Sequence, residues 1–200
     1  MKERPILFGG SMVCAILGGS KTQTRRVVKP QPIGFFGGTR LDSHTFKAII
    51  NGPKGIREHP VDHYWNCPYG QPGDRLWVRE TFCQIDGGGY AYKSTDAQDA
   101  DAERCRLEYG YKWTPSIYMP RVASRITLEV VNVRVERGQE INECDVIAEG
   151  ISLHDCLVNG EEILASFAYA QLWDSLNAKR GYGWDVNPWV WVIEFKQVTT

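Results

Sequence analysis

The stretch "SRITLEVVNVRVE", Ser124 to Glu136, places Ile126, Leu128 and Val130 on one side of an extended chain and Thr127, Glu129 and Val131 on the other. Alternation with period two reads as a strand, because successive side chains point to opposite faces of a sheet. A strand this long needs neighbours. Downstream, "NPWVWVIEFKQV" sets Trp189, Trp191, Ile193 and Phe195 against Val190, Val192 and Glu194. Upstream, "YGQPGDRLWVRETF" opens on a Pro72-Gly73-Asp74 turn and continues as a strand over Leu76–Glu80. "GYAYK" reads as a further strand and "PILF" as a short one near the start.

Helices punctuate these strands singly. "SMVCAILGG" is a short helix with Ser11 as its expected N-cap and Gly18 or Gly19 as its end. "INECDVIAEGI" is another, capped by Asn142 and terminated at Gly150. A longer helix is predicted over Glu161–Lys179, with Leu164, Phe167, Ala168, Leu172 and Leu176 as its apolar stripe. Without a regular βαβ alternation, the pattern predicts an α+β fold: a mostly antiparallel barrel of about six strands with flanking helices. The N-terminal helix is expected across one opening and the Glu161–Lys179 helix outside. Ile33–Gly70, rich in Gly, Pro and His, and the polar Ser94–Lys112 lack periodicity. They read as loop-rich insertions, near 33–66 and 94–112, in one domain spanning 1–200.

The 200 residues suit one large domain, and 42% of them are hydrophobic, enough for a substantial core. No apolar run approaches the roughly 20 residues of a membrane span, and "MKERPILFGG" has no signal-peptide core. A soluble, cytoplasmic protein is expected, without a membrane partner. The six cysteines, Cys14, Cys67, Cys83, Cys105, Cys144 and Cys156, form no C-x-x-C pair, so reduced thiols are expected rather than a zinc ribbon or redox motif. His59, His63 and Cys67 would share one face of a helix, but Pro60 and Pro68 argue against a helix there, and no metal is expected. Net charge is −1, yet residues 1–40 carry seven basic side chains against Glu3 alone, while residues 137–185 carry nine acidic against three basic. Such a split suggests a basic face able to hold phosphate and an opposite, solvated acidic one.

Within the basic part, "AILGGSKTQTRRVVKPQP" (Ala15–Pro32) concentrates reactive side chains. Lys21 leaves the Gly18-Gly19 helix exit while still in a turn, so its amine can fold toward the Thr24 hydroxyl. A threonine becomes a nucleophile only when a neighbour takes its proton, and a lysine can do so only when burial leaves it neutral. The plainer alternative makes Lys21 a surface residue or a phosphate contact. Arg25 and Arg26 point opposite ways on a strand, so one can reach a phosphate or carboxylate while the other pairs with an acidic neighbour. Trp189 and Trp191 are expected in the core. Trp113 and Tyr118, in "WTPSIYMPR", are expected on a binding rim beside Arg121 and Arg125, which would hold phosphate.

Taken together, "GGSKTQTRRVVKPQP", "PYGQPGDRLWVRETF", "WTPSIYMPRVASRITL", "DVIAEGI" and "WDVNPWVWVIEF" resemble the ASCH domain family, in its longer phage and prophage members. The resemblance implies a PUA-like β-barrel whose cleft serves RNA or modified nucleosides. Small members of the superfamily are amidohydrolases that remove the acetyl group of N4-acetylcytidine with a "KTxT" lysine and threonine and a glutamate from a later helix. The matching positions are Lys21, Thr24 and Glu149. Thr24 would attack the acetyl carbonyl, Lys21 would accept its proton, and Glu149 would protonate the departing nitrogen, with no cofactor. An ionised Glu149 beside Lys21 would, however, hold the lysine charged. The alternatives are a non-catalytic RNA-binding module, with Lys21, Arg25 and Arg26 on phosphates, and a ribonuclease, with Lys21 stabilising charge and Glu149 or Tyr118 handling protons.

Overall fold

The computed structural model describes residues 1–32, 45–50, 61–96, 104, 107–151, 157–158, 161–162 and 164–198. The two longest alternating stretches form its centre. β8 (Thr127–Arg137) and β11 (Trp189–Gln197) pair antiparallel from Trp189↔Arg137 to Gln197↔Leu128, with one irregularity between Glu194 and Phe195. β5 (Arg75–Arg79) adds antiparallel to β8, and β1 (Glu3–Leu7) adds parallel to β5. On the other side β2 (Gln23–Val27) pairs antiparallel with β11, giving the order β1-β5-β8-β11-β2.

β11 is nearly continuously apolar because both of its faces are covered. Trp189, Trp191, Ile193 and Phe195 join Leu128, Val130 and Val133 of β8 in one core, closed by Val13 and Ile16 of α1 (Gly10–Leu17). Val190 and Val192 face the other way, against Val146 of α2 (Glu143–Ala148) and Tyr169 and Trp173 of α3 (Ala165–Asn177). A sheet buried on both sides loses the clean polar alternation of a one-sided sheet.

The mixed α+β composition and mostly antiparallel pairing are as expected, but the sheet is open. No ladder joins β1 to β2 among the described residues. The carbonyl of Leu7, which a neighbouring strand would use, accepts instead from Arg26 Nη2 at 2.6 Å. α1 begins after Gly9 with no side-chain cap, rather than at Ser11. α3 is shorter than predicted, since β10 (Glu161–Glu162) forms a two-stranded ladder with β9 (Leu157–Val158) and a 3-10 turn follows at Ala178–Arg180. Its buried face also differs: Ala168, Tyr169 and Trp173 pack inward, while Leu164, Phe167 and Leu176 of the predicted stripe are exposed. Large aromatic side chains bury more area than leucine, and the polar tip of Trp173 is satisfied by the Tyr182 carbonyl at 2.7 Å.

The stretch read as loop also holds an antiparallel hairpin, β3 (Thr45–Ile50) with β4 (Val61–Asn66). It sends Trp65 into the main core, where its indole donates to the Pro30 carbonyl at 3.0 Å. A second hairpin joins β6 (Phe82–Ile85) and β7 (Gly89–Tyr92). Most of the expected insertions, together with His59, Cys105 and Cys156, lie outside the described residues. Among the described residues, Cys14, Cys67 and Cys144 are free thiols, no group of three potential metal ligands occurs, and no helix is long and apolar enough to cross a membrane.

Asp74 fastens the edge strand to the sheet. Its carboxylate accepts from the Lys2 amide at 2.7 Å, Arg4 Nη1 at 2.9 Å and the Gln71 amide at 3.4 Å. Burial alone would raise the Asp74 carboxyl, but these donors hold it below its usual value. The stabilisation is therefore present above the ordinary carboxylate range and lost as pH falls through the depressed value. We predict that Asp74→Asn lowers the unfolding free energy by about 1–3 kcal/mol at neutral pH. In urea denaturation, the gap between variant and wild type should narrow between about pH 7 and about pH 3.

Candidate active site

The turn after α1 and the end of α2 are sewn together. Gly18 and Gly19 close α1, with Gly19 at φ 77°, and the Lys21 amide still donates to the Ala15 carbonyl at 3.1 Å. Thr22 donates through its amide to the Ala148 carbonyl at 2.9 Å, placing the start of β2 against the end of α2. Asn142 caps α2, its Oδ1 accepting from the Asp145 amide at 2.9 Å, and Gly150 ends it at φ 90°. A Cβ on Gly150 would lie 2.9 Å from Ala15 Cβ and 3.1 Å from Lys21 Cβ, so only glycine permits this approach.

The approach brings Lys21 to Glu149 across 128 positions of sequence. Lys21 Nζ donates to Glu149 Oε2 at 2.8 Å, to the Glu149 carbonyl at 2.6 Å and to the Gln23 carbonyl at 2.8 Å. The lysine side chain has 0% exposed surface and that of the glutamate 5%. Three acceptors match the three hydrogens of an ammonium. Burial nevertheless pushes the Lys21 ammonium below its usual range; the Glu149 charge opposes that, and Arg26 and Arg25 add to it. The expected turn of Lys21 onto the Thr24 hydroxyl gives way to this pairing: all three hydrogens go to other acceptors, one of them the carbonyl of the residue preceding Thr24.

Arg25 and Arg26 divide as strand geometry requires. Arg25 turns to α2 and β8, where its Nη2 meets Asp145 at 2.9 Å and Glu136 at 3.2 Å and its Nη1 stands 3.5 Å from Glu149 Oε1. Arg134 joins the cluster, bridging Glu136, Glu194 and Asp145. Burial alone would raise the Asp145 carboxyl, but Arg25, Gln23 and Arg134 hold it below its usual value. Arg25 is thus the hub of an ion cluster, not an open phosphate contact. The basic and acidic segments of the sequence interlock here rather than forming opposite faces. Arg26 turns to the other side of the sheet, over the Phe8 ring at 5.1 Å.

Beside this cluster opens a cavity of about 640 Å³ whose wall includes Thr24, Arg25, Arg26 and Glu149. Aromatic side chains from several elements share its remaining wall: Phe8, Trp65 and Trp191 from the main core, Tyr169 and Trp173 from α3, with Tyr182 beyond. Among the described residues, buried Glu149 Oε1 has no hydrogen-bond partner, and neither do Arg25 Nε and Nη1. Burial keeps the Tyr169 phenol well above its ordinary value, and the Glu149 charge acts in the same direction. Tyr169 is therefore a neutral hydroxyl beside the carboxylate.

The proposed rim residues lie elsewhere. Arg125 grips Glu80 with two bonds, of 2.9 and 3.0 Å, and stacks over Tyr92. Arg121 pairs with Glu3 at 3.0 Å and lies over Trp77. Tyr118 is 72% exposed, and neither it nor Trp113 lines the cavity. Sequence reasoning missed Phe8, Trp65, Tyr169, Lys29 and Arg180 of the wall. The Tyr169–Trp173 spacing of four was the available signal for the α3 side. Compared with family models, curated proteins and solved structures, the chain finds no match.

A buried charge left without its partner is costly, whereas removing both partners is far less so. We predict that Lys21→Met destabilises the protein by about 3–5 kcal/mol and that adding Glu149→Gln restores part of the loss. Chemical denaturation of the two single variants and the double variant measures the coupling; strictly additive effects would contradict it.

Proposed function

We propose that this cavity is the hydrolytic site of an ASCH-type amidohydrolase acting on an N4-acylated cytidine, as free nucleoside or within RNA, in the cytoplasm. One observation carries the reading: a completely buried lysine is paired with the carboxylate of Glu149, and Glu149 and Thr24 both line one cavity with aromatic side chains in its wall. The open sheet is read as a PUA-like barrel whose β1 and β2 edges are parted by the cavity.

The acyl group lies against Thr24 and the cytosine ring among the aromatic walls. The burial that already lowers Lys21 lets it pass one proton to Glu149 when substrate is bound, leaving amine and carboxylic acid. The amine takes the Thr24 hydroxyl proton as the oxygen attacks the acyl carbonyl. Glu149 gives its proton to N4 as the C–N bond breaks, releasing cytidine and leaving acyl-Thr24. Lysine and glutamate are then again ammonium and carboxylate. Water attacks the ester, Thr24 recovers its hydrogen, and the acid leaves as its carboxylate and a proton. Tyr169 positions Glu149 as a neutral donor, and Arg25 and Arg26 favour the uncharged lysine through their own charge.

A non-catalytic RNA clamp would need Lys21 and Arg25 facing phosphate, and both have 0% exposed side chains facing carboxylates. Purified protein incubated with N4-acetylcytidine should release acetate and cytidine. Thr24→Ala should lower turnover by about 10³-fold or more with the fold retained, and Glu149→Gln by about 10²–10⁴-fold. Wild-type protein inert toward N4-acylcytidines, or a Thr24→Ala variant of full activity, would overturn the assignment.

A further inference from the structure

The charges on the cavity wall are unevenly distributed. Arg25, Arg26, Lys29 and Arg180 line it, and among the described residues Glu149 is the sole acidic one in its lining. Glu149 and Arg25 are locked into the ion cluster, and Arg26 donates to the Leu7 carbonyl. Lys29 and Arg180 belong to the outer wall and are solvent-exposed. Among the described residues neither has a carboxylate partner.

Among the described residues, contacts hold both side chains in place without neutralising them. Lys29 Nζ sits 5.2 Å from the centre of the Tyr182 ring, a contact that orients the ammonium and leaves its charge. Arg180 closes the end of α3, donating through Nε and Nη2 to the Leu176 carbonyl at 3.2 and 2.6 Å, while Nη2 also reaches Asn177 Oδ1 at 3.3 Å. Gly181, at φ 81°, turns the chain so that Arg180 and Tyr182 both line the same cavity. Two positioned cations thus stand at the mouth of an aromatic cavity whose inner end holds the reactive groups.

We propose that this rim binds phosphate, so that the ligand of the cavity is a cytidine nucleotide rather than the free nucleoside. The inference rests on the cavity being a cytidine site, as argued above, and adds the group that Lys29 and Arg180 recognise. The aromatic walls take the base, and the rim takes the phosphate attached to its sugar. Charge-assisted contacts to phosphate are short and strong, and a partly exposed pair of cations makes them sensitive to salt.

Trp65, Trp173 and Trp191 line the cavity, so intrinsic fluorescence reports its occupancy without any turnover. Cytidine, cytidine 5′-monophosphate and a cytidine-containing dinucleotide are titrated into wild-type protein and into Lys29→Ala and Arg180→Ala. Cytidine 5′-monophosphate should bind about tenfold or more tightly than cytidine at low salt, and added salt should shrink that ratio. The ratio should fall toward one in each variant, and as a comparison within one protein it is insensitive to small losses of folding. A dinucleotide binding as tightly as the monophosphate identifies the strand phosphodiester as the recognised group; weaker binding identifies the mononucleotide. Equal affinity for cytidine and its monophosphate, a preference untouched by both substitutions, or no binding of either would overturn the proposal. Binding of the monophosphate without acetate release from N4-acetylcytidine would retain the phosphate rim and remove the amidohydrolase reading.

Discussion

An ammonium and a carboxylate 2.8 Å apart, with 0% and 5% of their side chains exposed, set the terms for the surrounding structure. Removing both charges from water costs several kcal/mol each, and the cost is offset only where the remaining hydrogens and lone pairs find partners. Lys21 meets this condition through the carbonyls of Gln23 and Glu149. Those carbonyls are available because α2 stops at Gly150 and β2 starts beside it, so helix end and strand start are fixed together. Arg25, Arg134, Glu136 and Asp145 extend the same pairing along β2, β8 and α2.

The position of β2 at the sheet edge converts this constraint into a site. Arg25 ties the strand to α2, and Thr24, Arg25 and Arg26 all line the cavity, which also reaches Leu7 of β1. Had a ladder closed between those strands, the Leu7 carbonyl would serve a backbone amide instead of Arg26. The gap leaves a concave space with aromatic walls and a few polar groups, the usual character of a small-molecule site. Burial strong enough to lower Lys21 is the electrostatic condition for using a lysine as a base.

Much of the sheet was legible because period-two alternation sustained over β8 and β11 fits an extended strand and not a helix, and Asn142 and Gly150 bracketed α2 by ordinary cap chemistry. The face of α3 was not, because leucine and phenylalanine count as the stripe while Tyr169 and Trp173, with polar tips, do the packing. Glycine and proline concealed the β3–β4 hairpin, whose Trp65 reaches the core. The meeting of Lys21 with Glu149 has no local signature and entered the reading only through the ASCH resemblance. Arg121 and Arg125 were misplaced for a related reason: Glu3 and Glu80, which hold them, lie 118 and 45 positions away. Charge sums showed that two segments were oppositely charged, but not that they pack against each other.

Covalent attack by Thr24 is the central chemical claim, and trapping the intermediate tests it most directly. Protein mixed with excess N4-acetylcytidine, quenched in acid during the first turnovers and digested, is analysed by mass spectrometry. An acetyl group on the Thr24 hydroxyl that forms and decays at the rate of turnover is the expected result. Acetate released at the full rate with no acyl group on Thr24 at any time, or with acetylation confined to Lys21, would contradict it.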